Sequence, residues 1–244
     1  MSANPHPKTL IVIPAFNEED SITHVIATLR QYLPDADIAV INDGSTDHTG
    51  ELAESAGAIV LHLPYNVGIG AAVQTGFMFA AEQGYEAVIR SDGDGQHLSQ
   101  QDVQRLVAAL NSGQGDMIVG SRFIEDRGYH TPVPRRVGIL ILSRLISTIT
   151  SQSITDPTSG FVAFNRRAIR LFALVYPHDY PEPEALVAAH RAGLTIFEIP
   201  VTMKPRYGGR SSITRLRSAY YMVKVILSIL IGLLRPALLI ENEA

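Results

Sequence analysis

The sequence predicts an α/β protein built on a mostly parallel, Rossmann-like central sheet that is flanked by helices. Short apolar runs of strand length alternate along the chain with segments of helical period. Each run is apolar at consecutive positions, which indicates strands buried on both faces. The chain has 244 residues, of which 46% are hydrophobic, so it can bury a large core within one domain.

Five of these runs are predicted to form strands, and helical segments separate them. The helical segments are centred near residues 26, 51, 76 and 106, and the strands are Leu10–Ile13, Ile38–Ile41, Ile59–Leu63, Ala87–Ile89 and Met117–Val119. Ligands of parallel sheets bind beyond the carboxyl ends of the strands. We therefore expect functional residues directly after each run.

Polar turns follow four of the strands, at residues 14–21, 42–47, 65–70 and 92–94. Such turns at one edge of a sheet are the arrangement expected around a nucleotide and its phosphates. Helix capping is the alternative for Ser21 and Thr46, because hydroxyl side chains are frequent N-caps. Asp43 precedes a turn glycine and is poorly placed to cap.

Asp92 and Asp94 stand one residue apart after the fourth strand, and Gln96 follows them. In an extended segment alternate side chains point the same way, so both carboxylates can face one ligand. At about 5 Å and an effective dielectric of about 20 they repel by roughly 3 kcal/mol, a cost that a divalent cation reverses. Oxygen ligands favour Mg2+ or Mn2+. A solvated turn is the alternative.

Other sites that α/β proteins use are excluded by residue patterns. The dinucleotide fingerprint belongs to the first turn, which contains no glycine here. A Walker loop is absent, because no Gly-Lys-Ser or Gly-Lys-Thr occurs. Cysteine is absent as well, which rules out disulfides, thiolate nucleophiles and cysteine-bound zinc.

The C-terminal region is basic and apolar. Residues 199–240 hold seven Lys or Arg and no acid, whereas the first 198 residues carry a net charge of −9. This asymmetry favours an anionic membrane surface over nucleic acid as a partner. The N-terminus does not resemble a signal peptide, so we expect a cytoplasmic protein, peripheral at the inner face of the membrane.

The apolar stretch Val225–Leu234 has three possible roles. It is too short to span a bilayer, and the window Tyr220–Ile240 reaches that length only with its charges snorkelling to the interfaces. An interfacial or partner-docking helix is the second possibility, and ordinary packing on the body is the third.

Seven motifs occur in order between about residues 9 and 213. They are Ile13–Glu19, Ile41–Asp47, Asn66–Gly68, Asp92–His97, Gly120–Arg122, Asp156–Phe161, and Glu198–Val201 with Arg206–Ser212. Together they resemble family 2 glycosyltransferases with the GT-A fold, and the last two resemble the branch of dolichol-phosphate mannosyltransferase and polyprenyl-phosphate sugar transferases. The resemblance implies a GT-A domain at 1–212, and the basic, apolar composition of residues 213–244 predicts a C-terminal helix that associates with a membrane or a partner.

The resemblance also implies a nucleotide sugar held at these turns. Its contacts would be Pro14, Ala15, Asn17, Glu18, Asp43, Asn66, Gly68, Asp92 and Asp94, and the ligands of Mg2+ or Mn2+ would be Asp92, Asp94 and Gln96. Two positions depart from the family pattern, because Asn42 stands where Asp is frequent and Ile69 stands where Lys is frequent. The second departure removes a possible donor contact. His97 is expected to have a supporting role.

Arginine-containing segments are predicted to bind the phosphate of the acceptor, because Arg makes bidentate phosphate contacts. The predicted acceptor contacts are Arg122, Arg135, Arg136, Ser159, Arg206, Arg210 and Ser211. Arg135 and Arg136 flank a stretch without helical or strand period. Solvated surface charge is the alternative for Arg135, Arg136 and Arg210.

The predicted reaction is an inverting transfer of a hexose from a GDP- or UDP-sugar to a dolichyl or undecaprenyl phosphate. A phosphomonoester is largely ionised at neutral pH, so no strong base is needed. The predicted catalytic residues are Asp94, Arg122 and Asp156, and Asp156, Glu182 and Glu184 are candidates to orient a substrate. The alternatives are transfer to a saccharide hydroxyl, which needs a base, and a non-catalytic nucleotide-sugar-binding scaffold. Predicted partners are the two substrates and a membrane surface or small membrane protein; a homo-oligomer is compatible with the sequence.

Overall fold

The computed structural model describes residues 7–93, 99–125, 133–202 and 215–234, without the side chains of 133–135 and 215–221. Within these ranges the chain forms a seven-stranded sheet of order β3-β2-β1-β4-β6-β5-β7. The strands are β1 Thr9–Ala15, β2 Asp37–Asn42, β3 Ile59–His62, β4 Ala87–Arg90, β5 Met117–Ser121, β6 Val162–Asn165 and β7 Ile196–Pro200. Only β6 runs antiparallel to its neighbours β4 and β5 among the pairs described.

Eight helices are described in the same ranges. They are α1 Ile22–Tyr32, α2 Thr49–Ser55, α3 Ile69–Glu82, α4 Gln100–Asn111, α5 Val133–Thr150, α6 Arg166–Leu174, α7 Pro181–Arg191 and α8 Arg215–Leu233. The predicted α/β class, the five predicted strands and the four predicted helices between them are confirmed. Sequence pattern alone does not delimit β6, β7, α6 and α7, because they are short or follow one another without a clear change of period.

The sheet is buried on both faces, as the continuously apolar runs predict. Leu10 and Val12 of β1 face one core with α3, α5, α6, α7 and α8, whereas Ile11 and Ile13 face the other core with α1 and α4. Each of these four side chains is at most 1% exposed. Burying one such side chain contributes about 1.5–3 kcal/mol, so the two cores hold the strand ends that carry the site.

One sequence-based expectation about the acceptor segment is wrong. Arg135 and Arg136 lie in the first turn of α5, which begins at Val133, so they belong to a helix instead of flanking a stretch without regular period. Pro134 makes this helix start hard to recognise in the sequence, because proline disrupts the interior of a helix. Proline is tolerated in a first helical turn, where its missing N–H has no partner to lose.

Helix α8 packs on the body through one face. Val225 is 0% exposed and Ile229 is 2% exposed, and both join the core that α5 and α7 share. No helix in the described ranges is both long and apolar enough to cross a membrane. The predicted domain boundary between residues 212 and 213 lies outside the described residues.

The contact between α3 and β1 depends on Gly76, because a Cβ at that position would collide with Cγ1 of the buried Val12. We expect Gly76→Ala to lower the free energy of unfolding by about 1–3 kcal/mol through overpacking, despite the better helix propensity of Ala. Urea unfolding measures this change. The control is Gly232→Ala in α8, where a Cβ meets nothing within 4 Å and helix propensity predicts equal or higher stability. Equal behaviour of the two variants would contradict the packing argument.

Candidate active site

The turns after β1 and β2 are joined by direct hydrogen bonds. Asn17 has a φ of 54°, in the left-handed region that Asn tolerates better than most residues. Its Oδ1 accepts a hydrogen bond from the backbone N of Thr46 at 2.9 Å, and its backbone N donates to Oγ of Ser45 at 3.1 Å. Asn17 therefore holds one turn against the other at the carboxyl edge of the sheet.

Glu18 adds to the same junction, and its contacts decide the question of helix caps. Its backbone N donates to Oγ1 of Thr49 at 2.8 Å, and its carboxylate accepts from Oγ of Ser21 at 3.0 Å. Ser21 is the N-cap residue of α1 by position, but its hydroxyl bonds to Glu18 and makes no capping hydrogen bond to the helix. The capping interpretation is wrong for Thr46, because α2 begins at Thr49 after His48.

Asp47 closes this junction from the other side. Its Oδ1 accepts from the backbone N of Thr49 at 3.0 Å, and its Oδ2 accepts from the backbone N of Glu19 at 3.2 Å. Burial by itself would raise the pKa of Asp47, but the hydrogen bonds from Thr49 and Glu19 outweigh it and the pKa is lowered. The ionised form is thus part of the loop structure.

Asp43 controls the third predicted turn. Its side chain is buried, with Oδ1 accepting from the backbone N of Val67 at 2.8 Å and Oδ2 accepting from that of Gly68 at 3.0 Å. Its own backbone N donates to the carbonyl oxygen of Ala15 at 2.9 Å. Asp43 thereby ties the segment of Asn66 and Gly68 to the end of β1, beside Pro14 and Ala15. Each carboxylate oxygen keeps a second lone pair, so a predicted contact with a nucleotide stays a prediction that this geometry allows.

Asp92 lies where the turn after β4 meets these loops. Its side chain is 32% exposed, and a Cβ at Gly160 would lie 2.7 Å from its Oδ2. On the other flank, a Cβ at Gly93 would approach both Cγ of Glu18 and the carbonyl oxygen of Pro14 at 3.5 Å. The turns that contain Pro14, Glu18, Asp92 and Gly160 therefore converge, although they are far apart in sequence.

A divalent cation fits the chemistry of Asp92. Its carboxylate is a hard oxygen donor at the carboxyl edge, and about a third of the side chain is exposed to a ligand. Asp94, Gln96 and His97 lie outside the described residues, and within the described ranges no group of three His, Asp or Glu residues is placed to hold a metal. The full ligand set stays a prediction.

Arg122 and Asp156 form a buried ion pair beside this edge. Nε and Nη2 of Arg122 donate to the two carboxylate oxygens of Asp156 at 2.6 and 2.7 Å, and the backbone N of Arg122 donates to Oδ2 at 3.1 Å. Asp156 is 0% exposed. Nη2 of Arg122 also donates to Oγ1 of Thr158 at 2.7 Å. The pair orders the loop before β6; the predicted phosphate contact of Arg122 and catalytic role of Asp156 stay predictions.

Glu198 on β7 supports the same loop, a role that the sequence analysis missed. Its Oε2 accepts from the backbone N and Oγ1 of Thr155 at 2.8 and 2.7 Å, and its Oε1 accepts from the backbone N of Asp156 at 2.9 Å. Burial raises the pKa of Glu198, partly offset by these hydrogen bonds. The signal in the sequence for this role was the position of Glu198 in the motif Glu198–Val201.

The other predicted acceptor residues are distributed unevenly. Ser159 is 3% exposed, donates to the carbonyl oxygen of Gly120 at 2.6 Å and accepts from the backbone N of Phe161 at 3.3 Å. The guanidinium of Arg136 is exposed and lies 5.9 Å from the ring centre of Phe123. The side chain of Arg135, and all of Arg206, Arg210 and Ser211, lie outside the described residues. The predicted phosphate contacts of these residues stay predictions.

Arg90 is a second site residue to which the sequence analysis assigned no role. Its guanidinium is 2% exposed and donates from Nη2 to Oε1 of Glu182 at 2.6 Å and from Nη1 to the Tyr176 hydroxyl at 3.3 Å. Burial alone would lower the pKa of Arg90, but the charge of Glu182 outweighs it and the pKa is raised. Burial raises the pKa of Tyr176 to about 12, so its hydroxyl is neutral at physiological pH. A charged residue ending an apolar strand was the signal in the sequence.

Residues 10–172 match the glycosyl transferase family 2. The chain belongs to this family and is a glycosyltransferase. The matched range contains β1 to β6 and therefore every turn that meets at Asp92.

Two relatives and one solved structure are similar to this chain over most of its length. It is 27% identical to the polyprenol monophosphomannose synthase of Mycolicibacterium smegmatis, over 91% of this chain and 88% of that protein. It is 29% identical to the undecaprenyl-phosphate mannosyltransferase of Micrococcus luteus, over 85% and 88%. The glucosyl-3-phosphoglycerate synthase of Mycobacterium tuberculosis, solved with Mn2+, UDP and glucosyl-3-phosphoglycerate, superimposes with a TM-score of 0.67 at 22% identity, over 93% of this chain and 79% of that one. This likeness shows the fold, and the predicted GT-A fold is confirmed.

Asp43→Asn tests the clamp on the turn at 65–68. An amide presents its NH2 group to a backbone N–H, so one acceptor is lost, and we expect a loss of about 1–3 kcal/mol in the free energy of unfolding together with weaker nucleotide binding. Urea unfolding and titration with UDP and GDP measure the two effects. The control is Asp35→Asn at an exposed residue of the opposite edge, and nucleotide affinity in Asp43→Asn as high as in this control would contradict the prediction.

Proposed function

We propose that the protein is a metal-dependent, inverting glycosyltransferase that moves a hexose from a GDP- or UDP-linked donor to a polyprenyl phosphate. The observation that carries this proposal is the convergence of the turns after β1, β2 and β4 at the partly exposed Asp92. The names of the two relatives support a lipid phosphate as the acceptor class. Family membership supports the type of reaction.

The donor is proposed to lie across the first three turns. Pro14, Ala15, Asn17 and Glu18 line one side of the convergence, and Asp43 brings Asn66 and Gly68 to the other side. Backbone groups and short polar side chains of this kind suit the base and ribose of a nucleotide. The diphosphate would then extend toward Asp92.

A Mg2+ or Mn2+ ion is proposed to be held by Asp92, Asp94 and Gln96. When bound, it supplies Lewis-acid stabilisation of the charge that develops on the departing nucleoside diphosphate. The structural neighbour solved with Mn2+ and UDP supports a divalent cation in this fold. Asp92 contributes a carboxylate whose orientation is limited by Gly160.

The acceptor phosphate is proposed to attack the anomeric carbon directly. An oxygen of the phosphate forms the new bond as the bond from the anomeric carbon to the diphosphate oxygen breaks, and one displacement inverts the configuration. The attacking oxygen is already ionised, so the protein has to position it rather than deprotonate it. A mechanism without a general base agrees with the environment of Asp156, because its carboxylate is buried in an ion pair with Arg122.

The lipid-facing side is proposed to be a surface formed by α5 and α8, which we call the α5–α8 face. The helices pack together, since a Cβ at Gly138 would lie 3.0 Å from Sδ of Met222. Its exposed apolar residues are Val137, Leu140, Ile141, Val223, Leu227, Leu230, Ile231 and Leu234. Neither helix contains an acid, and Arg136 and Arg144 are exposed on α5. An apolar face with cations at its side fits the anionic cytosolic leaflet of a membrane.

Transfer is tested with the purified protein, Mn2+ or Mg2+, a panel of UDP- and GDP-sugars and a polyprenyl phosphate. We expect a lipid-linked sugar from at least one donor, and a loss of about 100-fold or more in Asp92→Asn with the fold retained, because charge on the leaving group is no longer stabilised. Asp35→Asn is the control for removal of an acid. Product with a saccharide acceptor alone would favour the alternative acceptor, and no product with any pair would refute the proposal.

Membrane binding is tested by flotation with vesicles of phosphatidylcholine and phosphatidylglycerol. We expect the protein to float, and Leu140→Glu/Leu227→Glu to remain unbound, since two anions then face the lipid. Leu174→Glu is the matched control, because Leu174 is 75% exposed at the end of α6, outside the α5–α8 face. Activity on a short, water-soluble polyprenyl phosphate is expected to persist in both variants. Equal flotation of the two variants would refute the assignment of this face.

A further inference from the structure

Arg90 carries a positive charge into the protein beside the proposed metal site. It follows Val88 by two positions on β4, and strand alternation places both on the face that packs against α3, α6 and α7. The guanidinium is therefore among core side chains, yet it lies two residues before Asp92. A buried charge is retained at a considerable desolvation cost, which its partners must offset.

The partners of Arg90 connect three separate parts of the chain. Nη2 lies 2.6 Å from Oε1 of Glu182 and 3.7 Å from Oδ1 of Asp92. Glu182 is in the first turn of α7, and the Tyr176 hydroxyl lies in the segment between α6 and α7. One guanidinium nitrogen thus lies between a carboxylate of the fold and the carboxylate of the proposed site.

Asp92 is confined between Arg90 and Gly160. Nη2 of Arg90 lies 3.7 Å from its Oδ1, and the backbone of Gly160 is so close that a Cβ there would come within 2.8 Å of both carboxylate oxygens. The guanidinium itself has little freedom, because it is only 2% exposed and donates hydrogen bonds to both Glu182 and Tyr176. The carboxylate therefore has a restricted set of orientations before any ligand binds.

We infer that Arg90, balanced by Glu182, is a positioning residue that fixes the orientation of the Asp92 carboxylate for a divalent cation and the donor diphosphate. Glu182 has a definite part in this arrangement. Because it neutralises Arg90, the guanidinium can orient Asp92 without cancelling the negative charge that the cation needs. This inference rests on the proposed function and extends it to residues outside the predicted ligand set.

Two variants separate positioning from simple support of the fold. Arg90→Met/Glu182→Met replaces the buried pair by apolar side chains, a change that is often neutral for stability. We expect this double variant to unfold near the wild-type temperature but to bind Mn2+ in the presence of UDP or GDP about 10- to 100-fold more weakly, the range typical of residues that orient metal ligands. Added Mn2+ should restore part of the transferase activity.

Glu182→Gln tests the charge balance with the least change in shape. It leaves Asp92 as the nearest carboxylate to Arg90, so Mn2+ affinity should fall although the guanidinium remains in place. Arg167→Met is the matched control, because Arg167 pairs with the buried Asp116 at 3.1 Å near the amino end of β5, on the opposite edge of the sheet. This control is expected to lose stability and to keep wild-type Mn2+ affinity.

The measurement is Mn2+ binding with UDP and with GDP, followed by the resonance of free Mn2+ and compared with thermal unfolding. Wild-type affinity in a folded double variant, or in Glu182→Gln, would overturn the role of Arg90 and leave the proposed function intact. Absence of Mn2+ binding by the wild-type protein with both nucleotides would instead remove the metal site and the inference together.

Discussion

The carboxyl edge of this protein is held together by carboxylates that accept hydrogen bonds from backbone N–H groups. Loops cannot satisfy their own backbone donors as helices and strands do, and an unpaired buried donor is costly. Asp43 satisfies the turn at 67–68, Asp47 the backbone of Glu19 and Thr49, and Glu198 the backbone of Thr155 and Asp156. The site can be irregular in conformation and still be well ordered because these acids complete it.

The same principle explains why acids near the site have different roles. Asp43 and Asp156 are buried, Glu198 is half-buried, and all three accept hydrogen bonds from donors of the protein, so their charges stabilise loops. Asp92 differs, since about a third of its side chain is exposed and its neighbours are the Arg90 guanidinium at 3.7 Å and the backbone of Gly160. A ligand that binds at this edge therefore has easier access to Asp92 than to the other acids. Donors of the protein satisfy the supporting acids, whereas Asp92 keeps a partly exposed carboxylate for a ligand.

Two buried arginines extend this order into the body of the protein. Arg122 links β5 to the loop before β6 through Asp156, and Arg90 links β4 to α7 through Glu182. Because β6 is antiparallel, its amino end comes to the carboxyl edge of β4 and brings Gly160 against Asp92. The reversed strand is thus the reason that two halves of the chain contribute to one site.

The α/β class, the first five strands and the turns that follow them can be predicted from the sequence alone, because continuous apolar runs and their spacing depend only on local order. The family can also be predicted from the sequence, because the seven motifs occur in the expected order. The tertiary structure was needed to show that the Ser21 hydroxyl bonds to Glu18, that Thr46 does not cap α2, that Arg135 and Arg136 begin a helix, and that Arg90 meets Glu182 from 92 residues away. These facts depend on contacts between distant segments and on how deeply each charge is buried, and neither quantity is contained in local sequence pattern.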